Sequence, residues 1–387
     1  MRCDVNKPPL TRDDSQTSLS NVKLLQNRLE VQFKDGKLMT FEDCWLRDEC
    51  RCSVCYHADK HQRALHLLDI PDAKIVSFQL DRCEISLTWS DGHKSTYSSD
   101  FLSLFDYKIW KSRRTLKPIL WRGPKVADKV ARVHVNEFLN SVAGTRRVFR
   151  SLLDYGVSLI EGVDPTLAAT EVVCKALGGI QHTLFGGMWE FSSAKEHHAD
   201  TAYTNLPLAV HNDNTYFTEA AGLQVFHCIQ HSNPKGGETI LVDGFFGANQ
   251  LKEESPVHFD FLTTFDVEAQ YIEDNHYHTH SAPVIQVDRK THDMQQIRFN
   301  VYDRSPMAFK SGDECRNYYR SLRKLAEYYE DPENQWQFKL TPGVVVAMDN
   351  FRVLHGRTGF SGHRVLAGSY VSRSDWLNKA RVVGLIA

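Results

Sequence analysis

Three cysteines fall within six residues, Cys50-Arg-Cys52-Ser-Val-Cys55, inside a stretch whose other signals are all of short strands. Residues 29–33 alternate apolar and polar, Asp35-Gly36 marks a hairpin turn, and residues 37–41 complete the pair. Residues 74–80 and 84–89 form a second alternating pair, and Asp91-Gly92 turns into residues 94–98. A β unit of this size has a small core and needs a staple. Three thiolates this close suit Zn(II), which takes four ligands in a tetrahedron. The fourth ligand must come from elsewhere: His57 and His61 are near in sequence, and His93 lies at the second hairpin turn. A ligand from another hairpin cross-links the unit better, which favours His93. The spacing matches none of the usual iron–sulfur runs. The chain holds nine cysteines, an odd number that speaks against a disulfide scaffold.

With 387 residues the chain is long enough for about two domains. Residues 1–21 read as a disordered lead-in, 22–105 as the zinc-binding β domain and 106–130 as a basic, aromatic linker. Residues 131–387 read as a second domain. In it, residues 136–155 and 165–177 show helical spacing, the latter with Pro165 in its first turn. From Gly222 the pattern turns to strands, at 223–229, 239–242, 284–287, 297–299, 344–348 and 365–371, with one helix at 313–329. Helices followed by many strands predict a mainly β sandwich or barrel with flanking helices.

The 46 basic and 48 acidic residues give a net charge of −2, without the basic surplus that phosphate contacts demand, so nucleic acid is not an expected partner. No run approaches the roughly 20 apolar residues of a membrane span. The N-terminus, with Asp4, Asp13 and Asp14, carries neither a secretory core nor a clear presequence, and on that ground the chain reads as cytoplasmic.

His211-Asn-Asp213 follows an apolar segment, and alternate residues on an extended chain face one side. A second histidine on another strand completes the two-histidine, one-carboxylate face of non-haem Fe(II) oxygenases. His355, after the 344–348 strand, is that partner. Arg364 heads the 365–371 strand. A 2-oxoglutarate co-substrate would chelate iron at its keto-acid end and place its other carboxylate on a cationic fork, which an arginine supplies. Thr239 offers a hydroxyl for the same carboxylate, or is simply a β-branched strand former. His276, His278 and His280 also alternate, but no carboxylate accompanies them at matching spacing.

These residues stand in longer motifs: Trp-Leu-Arg-Asp-Glu-Cys at 45–50, Trp-Ser-Asp-Gly-His at 89–93, Gly-Met-Trp-Glu-Phe at 187–191, Asp-Thr-Ala-Tyr-Thr at 200–204 and Asp-Asn-Phe-Arg-Val-Leu-His-Gly-Arg at 349–357. They resemble the gamma-butyrobetaine and trimethyllysine dioxygenase family over nearly the whole chain. Asn-Val-Tyr-Asp-Arg at 300–304 leans towards the trimethyllysine branch. The resemblance implies a double-stranded β-helix (jelly-roll) 2-oxoglutarate oxygenase domain behind a small all-β zinc-binding N-terminal domain. It assigns the fourth zinc ligand to His93, Fe(II) to His211, Asp213 and His355, and 2-oxoglutarate to Arg364. The loop between His355 and Arg364 is shorter than in the butyrobetaine branch.

The implied reaction hydroxylates trimethyllysine with O2 and 2-oxoglutarate, the first step of carnitine biosynthesis, with ascorbate keeping iron reduced. The quaternary ammonium would lie among Trp189, Tyr203 and Tyr370, with Phe185 where the family has Tyr, since aromatic faces attract a cation that has no N–H to donate. Asp200 would meet the α-ammonium, and Asn300 completes the substrate set. Gamma-butyrobetaine hydroxylation, and a zinc-stapled interaction protein without catalysis, are the alternatives. The resemblance also implies a mitochondrial matrix location, and the N-terminal domain offers a surface for a homodimer.

Overall fold

The alternating segments early in the chain fold as two three-stranded antiparallel sheets in this computed structural model, which describes residues 18–192 and 204–386. One joins Leu19–Leu25, Arg28–Phe33 and Leu38–Glu42, the other Ile75–Leu80, Glu84–Trp89 and Lys94–Ser98. Leu29, Val31 and Phe33 share one strand face and are buried in one core with Ile85, Leu87 and Trp89. The helix Asp43–Asp48 leads into the cysteine cluster, and the buried Tyr97 hydroxyl donates to the carbonyl of Leu46 at its centre.

The expected lead-in ends earlier than residue 21: Leu19–Leu25 is a strand paired with Arg28–Phe33, while residues 1–17 lie outside the described residues. The expected linker at 106–130 is also structured. Tyr107–Arg114 is a helix, and the Asp106 carboxylate caps it by accepting from the Ile109 N–H at 2.9 Å. The chain divides into two units at Thr115 and Leu116. Beyond that point Trp121 is buried, with its indole N–H on the Tyr155 carbonyl at 2.8 Å. Charge alone marked this segment as solvated; Trp121 makes part of it core.

In the second unit two sheets form the jelly roll. The larger runs, in spatial order, Met188–Ser192, Phe360–Val371, Leu223–Gly236, Val344–Asp349, Val157–Glu161 and Arg132–His134. The smaller runs Leu208–His211, Val353–Arg357, Thr239–Asp243 and Gln335–Phe338. Leu159, Cys228, Val346 and Met348 of the larger sheet meet Leu241, Trp336 and Val353 of the smaller in one buried cluster. The helices Val142–Tyr155, Leu167–Leu177 and Arg373–Val382 cover the outer face of the larger sheet through Val225, Val345 and Ala347. The helices Gly244–Glu254, Pro256–Thr264 and Gly312–Glu330 cover the smaller sheet. Strands covered on both faces read as near-continuous apolar runs, as Val344–Asp349 does through Met348.

The 136–155 helix is in fact two, Val135–Asn140 and Val142–Tyr155, because the Ser141 hydroxyl caps the second by accepting from the Gly144 N–H. Pro165 lies ahead of its helix, whose N-cap is Thr166. The helices Gly244–Glu254 and Pro256–Thr264 carry weak periodicity and lie outside the sequence expectations, as does the hairpin Asp266–Glu273/His276–Pro283, although its first strand alternates apolar and polar residues.

Candidate active site

His211 ends its strand, and it reaches His355 through an irregularity. Leu208 pairs with Arg357 but His211 pairs with His355, so one extra residue is accommodated between them. Such a bulge re-aims the following side chain. The His211 Nδ1 lies 2.8 Å from the Ala209 carbonyl, so it carries the hydrogen and leaves Nε2 as the free lone pair. The two imidazole rings lie 4.5 Å apart.

Asp213 lies beyond the strand, so strand alternation does not place it. The Asn350 amide does. Its Oδ1 accepts from the Asp213 N–H at 2.9 Å, and its Nδ2 donates to the Asp213 and Ala221 carbonyls at 3.0 and 3.1 Å. Asn212 ties the same loop back, donating to the Asn350 and Val353 carbonyls at 2.9 and 3.2 Å. Two buried amides thus fix the Asp213 segment against the segment leading into His355.

Asp213 Oδ1 then lies 3.4 Å from His211 Nε2 and 3.7 Å from His355 Nε2. One donor atom from each of the three residues falls within 4.8 Å of the others. Burial pushes His355 down to about 4, which keeps it a neutral imidazole at neutral pH, the form able to ligate a metal. Burial also opposes charge on His211, but the Asp213 carboxylate and the Ala209 carbonyl win and raise it. Burial would raise Asp213; His355, His211 and the Tyr370 hydroxyl together hold it low. The set is two imidazoles and a carboxylate held charged, three donors that suit a cation.

His211 and His355 open onto a cleft that is also lined by Arg364, Thr239, Phe226 and Phe191. Arg364 is buried, and its Nε has no hydrogen-bond partner among the described residues. Burial lowers its affinity for a proton, as expected of a guanidinium held in apolar surroundings. Arg357 lines the cleft too, but donates to the Thr204 and Leu206 carbonyls. Arg364 is therefore the guanidinium with capacity for a carboxylate.

Trp189 and Tyr370 are buried together, ring centroids 5.8 Å apart and edge to face, with Phe185, Phe191 and Phe226 packed around them. Phe185 also meets Tyr271 edge-on at 5.5 Å. Tyr203 and Asp200 lie outside the described residues. Asn300 is engaged internally: its Nδ2 donates to the Asn212 carbonyl and to Asp303, and its Oδ1 accepts from the Tyr302 N–H. It thereby buttresses the Asp213 loop. His276, His278 and His280 lie on a hairpin strand, and His278 packs against Phe217 at 4.9 Å. Asn350 and Asn212 went unnoticed in the sequence; their only signal was position, one beside each metal-ligand motif.

In the first unit Cys50, Cys52, Cys55 and His93 converge. His93 Nε2 lies 3.3, 3.7 and 3.7 Å from the three sulfurs. Ligands on a tetrahedral zinc would stand about 3.6 Å apart on such an S–N edge. The Cys52 carbonyl accepts from the Cys55 and Tyr56 N–H groups, which folds the knuckle. Buried Arg47 donates to Cys55 Sγ at 3.6 Å and pairs with Asp91 at 3.3 Å, placing one positive charge beside the thiols. Burial pushes the Cys55 thiol up to about 11, so a cation is needed to ionise it at neutral pH.

Residues 122–370 match the family model described as taurine catabolism dioxygenase TauD, TfdA family. Residues 21–103 match the one described as gamma-butyrobetaine hydroxylase-like, N-terminal. The chain is 37% identical over 368 residues to a rat protein named trimethyllysine dioxygenase, mitochondrial, covering 94% of this chain and 87% of the relative. The human protein of that name is also 37% identical, with the same coverage. A trimethyllysine dioxygenase of the yeast Meyerozyma guilliermondii is 30% identical over 92% of this chain and 94% of its own length.

Proposed function

The chain belongs to the taurine catabolism dioxygenase TauD, TfdA family and is a 2-oxoglutarate-dependent dioxygenase, and from that premise we propose that it hydroxylates trimethyllysine at carbon 3. The observation that carries the reading is one cleft holding His211, His355, Arg364 and Thr239, with Asp213 fixed beside the two imidazoles. His211, Asp213 and His355 would hold Fe(II). Arg364, aided by the Thr239 hydroxyl, would take the far carboxylate of 2-oxoglutarate. Bound iron, with 2-oxoglutarate and O2, supplies the oxidising chemistry.

The chain's own residues provide position and dryness. Arg364 fixes the co-substrate by paired hydrogen bonds, in surroundings that strengthen them. Phe191, Phe226 and Leu366 keep water from the cleft. Trp189, Tyr370 and Phe185 offer aromatic faces to a trimethylammonium group, and Tyr203 would join them. Phe185 keeps the π face without a hydroxyl. Asp200 would meet the α-ammonium. Asn300 supports the pocket through the Asp213 loop. Cys50, Cys52, Cys55 and His93 would hold a structural zinc.

The product would enter carnitine biosynthesis, ascorbate would keep iron reduced, and the compartment is proposed as mitochondrial because the vertebrate relatives carry that word in their names. A homodimer is proposed as the working state. The test offers purified protein Fe(II), 2-oxoglutarate and ascorbate with either trimethyllysine or gamma-butyrobetaine. Hydroxylated product and succinate should form with trimethyllysine. Turnover of gamma-butyrobetaine alone would overturn the substrate assignment.

A further inference from the structure

The two oxygens of Asp213 meet different neighbours. Oδ1 faces both imidazole Nε2 atoms, at 3.4 and 3.7 Å. Oδ2 accepts a hydrogen bond from the Tyr370 hydroxyl at 3.0 Å. The ring of the same Tyr370 stands against Trp189 in the aromatic cluster, and both residues are buried. One side chain therefore closes the aromatic pocket with its ring and grips a metal-ligand candidate with its oxygen.

We propose that Tyr370 is a positioning residue for the metal, its hydroxyl reserving Asp213 Oδ2 so that the carboxylate offers the ion Oδ1 alone. This rests on reading His211, Asp213 and His355 as the iron ligands. A facial set of three ligands must leave three positions open, two for 2-oxoglutarate and one for O2. Carboxylates also bind ions through both oxygens, and a chelating Asp213 would consume one of those positions. The hydroxyl opposes that. A phenol donating to a carboxylate is a charge-assisted bond, stronger than a neutral one. Swinging Oδ2 towards the ion would break that bond.

The backbone of Asp213 is fixed separately, by Asn350. What Tyr370 controls is therefore rotation of the carboxylate about its own bond. Because the ring belongs to the aromatic pocket, a cation resting on it also holds the hydroxyl in place. Occupancy of the pocket and the number of open metal positions are then coupled through one residue.

The test is Tyr370→Phe, which keeps the ring and removes the oxygen, with Co(II) as the spectroscopic probe in place of iron. The metal-free variant should melt close to the parent. Its Co(II) absorption spectrum should change, because Asp213 is free to chelate, and its metal affinity should shift by about tenfold, the size typical of losing a partner to a ligand. Succinate should form in excess over hydroxylated product, while the KM for trimethyllysine changes little. Tyr370→Leu, which removes the ring as well, should raise that KM sharply. A Tyr370→Phe protein with the parent's Co(II) spectrum and metal affinity would overturn the proposal. If the spectrum changes but the parent turns over no trimethyllysine, the substrate reading fails and this one stands.

Discussion

The Arg352 guanidinium and the Asp243 carboxylate form a two-bond pair inside the second unit, Nε to Oδ1 at 3.0 Å and an η nitrogen to Oδ2 at 2.7 Å. Both residues are buried. The remaining nitrogen capacity of Arg352 goes to the Asp154 and Ile119 carbonyls, and Asp243 also accepts from the Trp121 and Phe245 N–H groups. The pair joins the strand before the Gly244–Glu254 helix to the turn that leads into His355.

Removing one partner strands the other as an uncompensated buried charge. Arg352→Ala should lower stability by about 3–5 kcal/mol. Chemical denaturation of the metal-free protein measures this; an unchanged midpoint would show that the pair contributes nothing net.

Asn350→Ala should act on metal binding more than on global stability. It leaves the Asp213 N–H and carbonyl without partners, at about 1–3 kcal/mol. The larger effect is a fall in Fe(II) affinity of about 10- to 100-fold, the range for removing a group that orients a ligand. Titration with Fe(II) under anaerobic conditions reads it directly.

Gly368 pairs with Trp189 across adjacent strands, and a Cβ there would collide with the indole ring and with the Val225 backbone carbonyl of the strand on the other side. Gly368→Ala must therefore displace the Trp189 ring and shift the strand against Val225. Overpacking of this kind costs about 1–3 kcal/mol. The kinetic signature is a KM for the quaternary-ammonium substrate that rises by a larger factor than kcat falls.

His227 predicts an acid limb. Its Nδ1 lies 2.7 Å from Thr170 Oγ1, and that hydroxyl already gives its hydrogen to the Thr166 carbonyl, so the imidazole donates through Nδ1. Its Nε2 is buried without a partner among the described residues, and burial pushes its pKa down to about 4 from 6.5. Between those values the unfolded chain takes up a proton that the folded chain does not. Stability is full above pH 6.5 and falls as pH drops towards 4, with a ceiling of about 3 kcal/mol. His355 adds to the same limb, so His227→Leu should make it shallower, without abolishing it, in a series of denaturation curves across this window.

Cys50→Ser should reduce bound zinc well below the about one ion per chain expected of a closed four-ligand site. Limited proteolysis should then cut the first unit readily while Fe(II) affinity stays near the parent value. Loss of iron with a protease-resistant first unit would contradict the division of labour between the two metals.

Much of this was legible in the chain. The strand alternation of 29–33 and 84–89 is local, and so is the cysteine spacing. His211, His355 and Arg364 stood out because few chemistries want two histidines, a carboxylate and an arginine on strands. What stayed hidden is carried by pairs remote in sequence. Asn350 reaches Asp213 across 137 positions and Arg352 reaches Asp243 across 109. An asparagine that clamps a backbone looks, in sequence, like one in any turn. Tyr370 was read for its ring alone, since nothing in the string of residues tells where a hydroxyl will land.

The cross-strand meeting of His211 and His355 has a further consequence. Side chains on a strand alternate faces, so a slip of one residue between Leu208–His211 and Val353–Arg357 would turn one imidazole away from the other. Only the correct pairing presents two lone pairs to one point. Uptake of an ion there would in this sense be a proofreading event: a molecule that mispairs these strands has no chelate to offer, and the metal would select the chains that have assembled their sheet correctly.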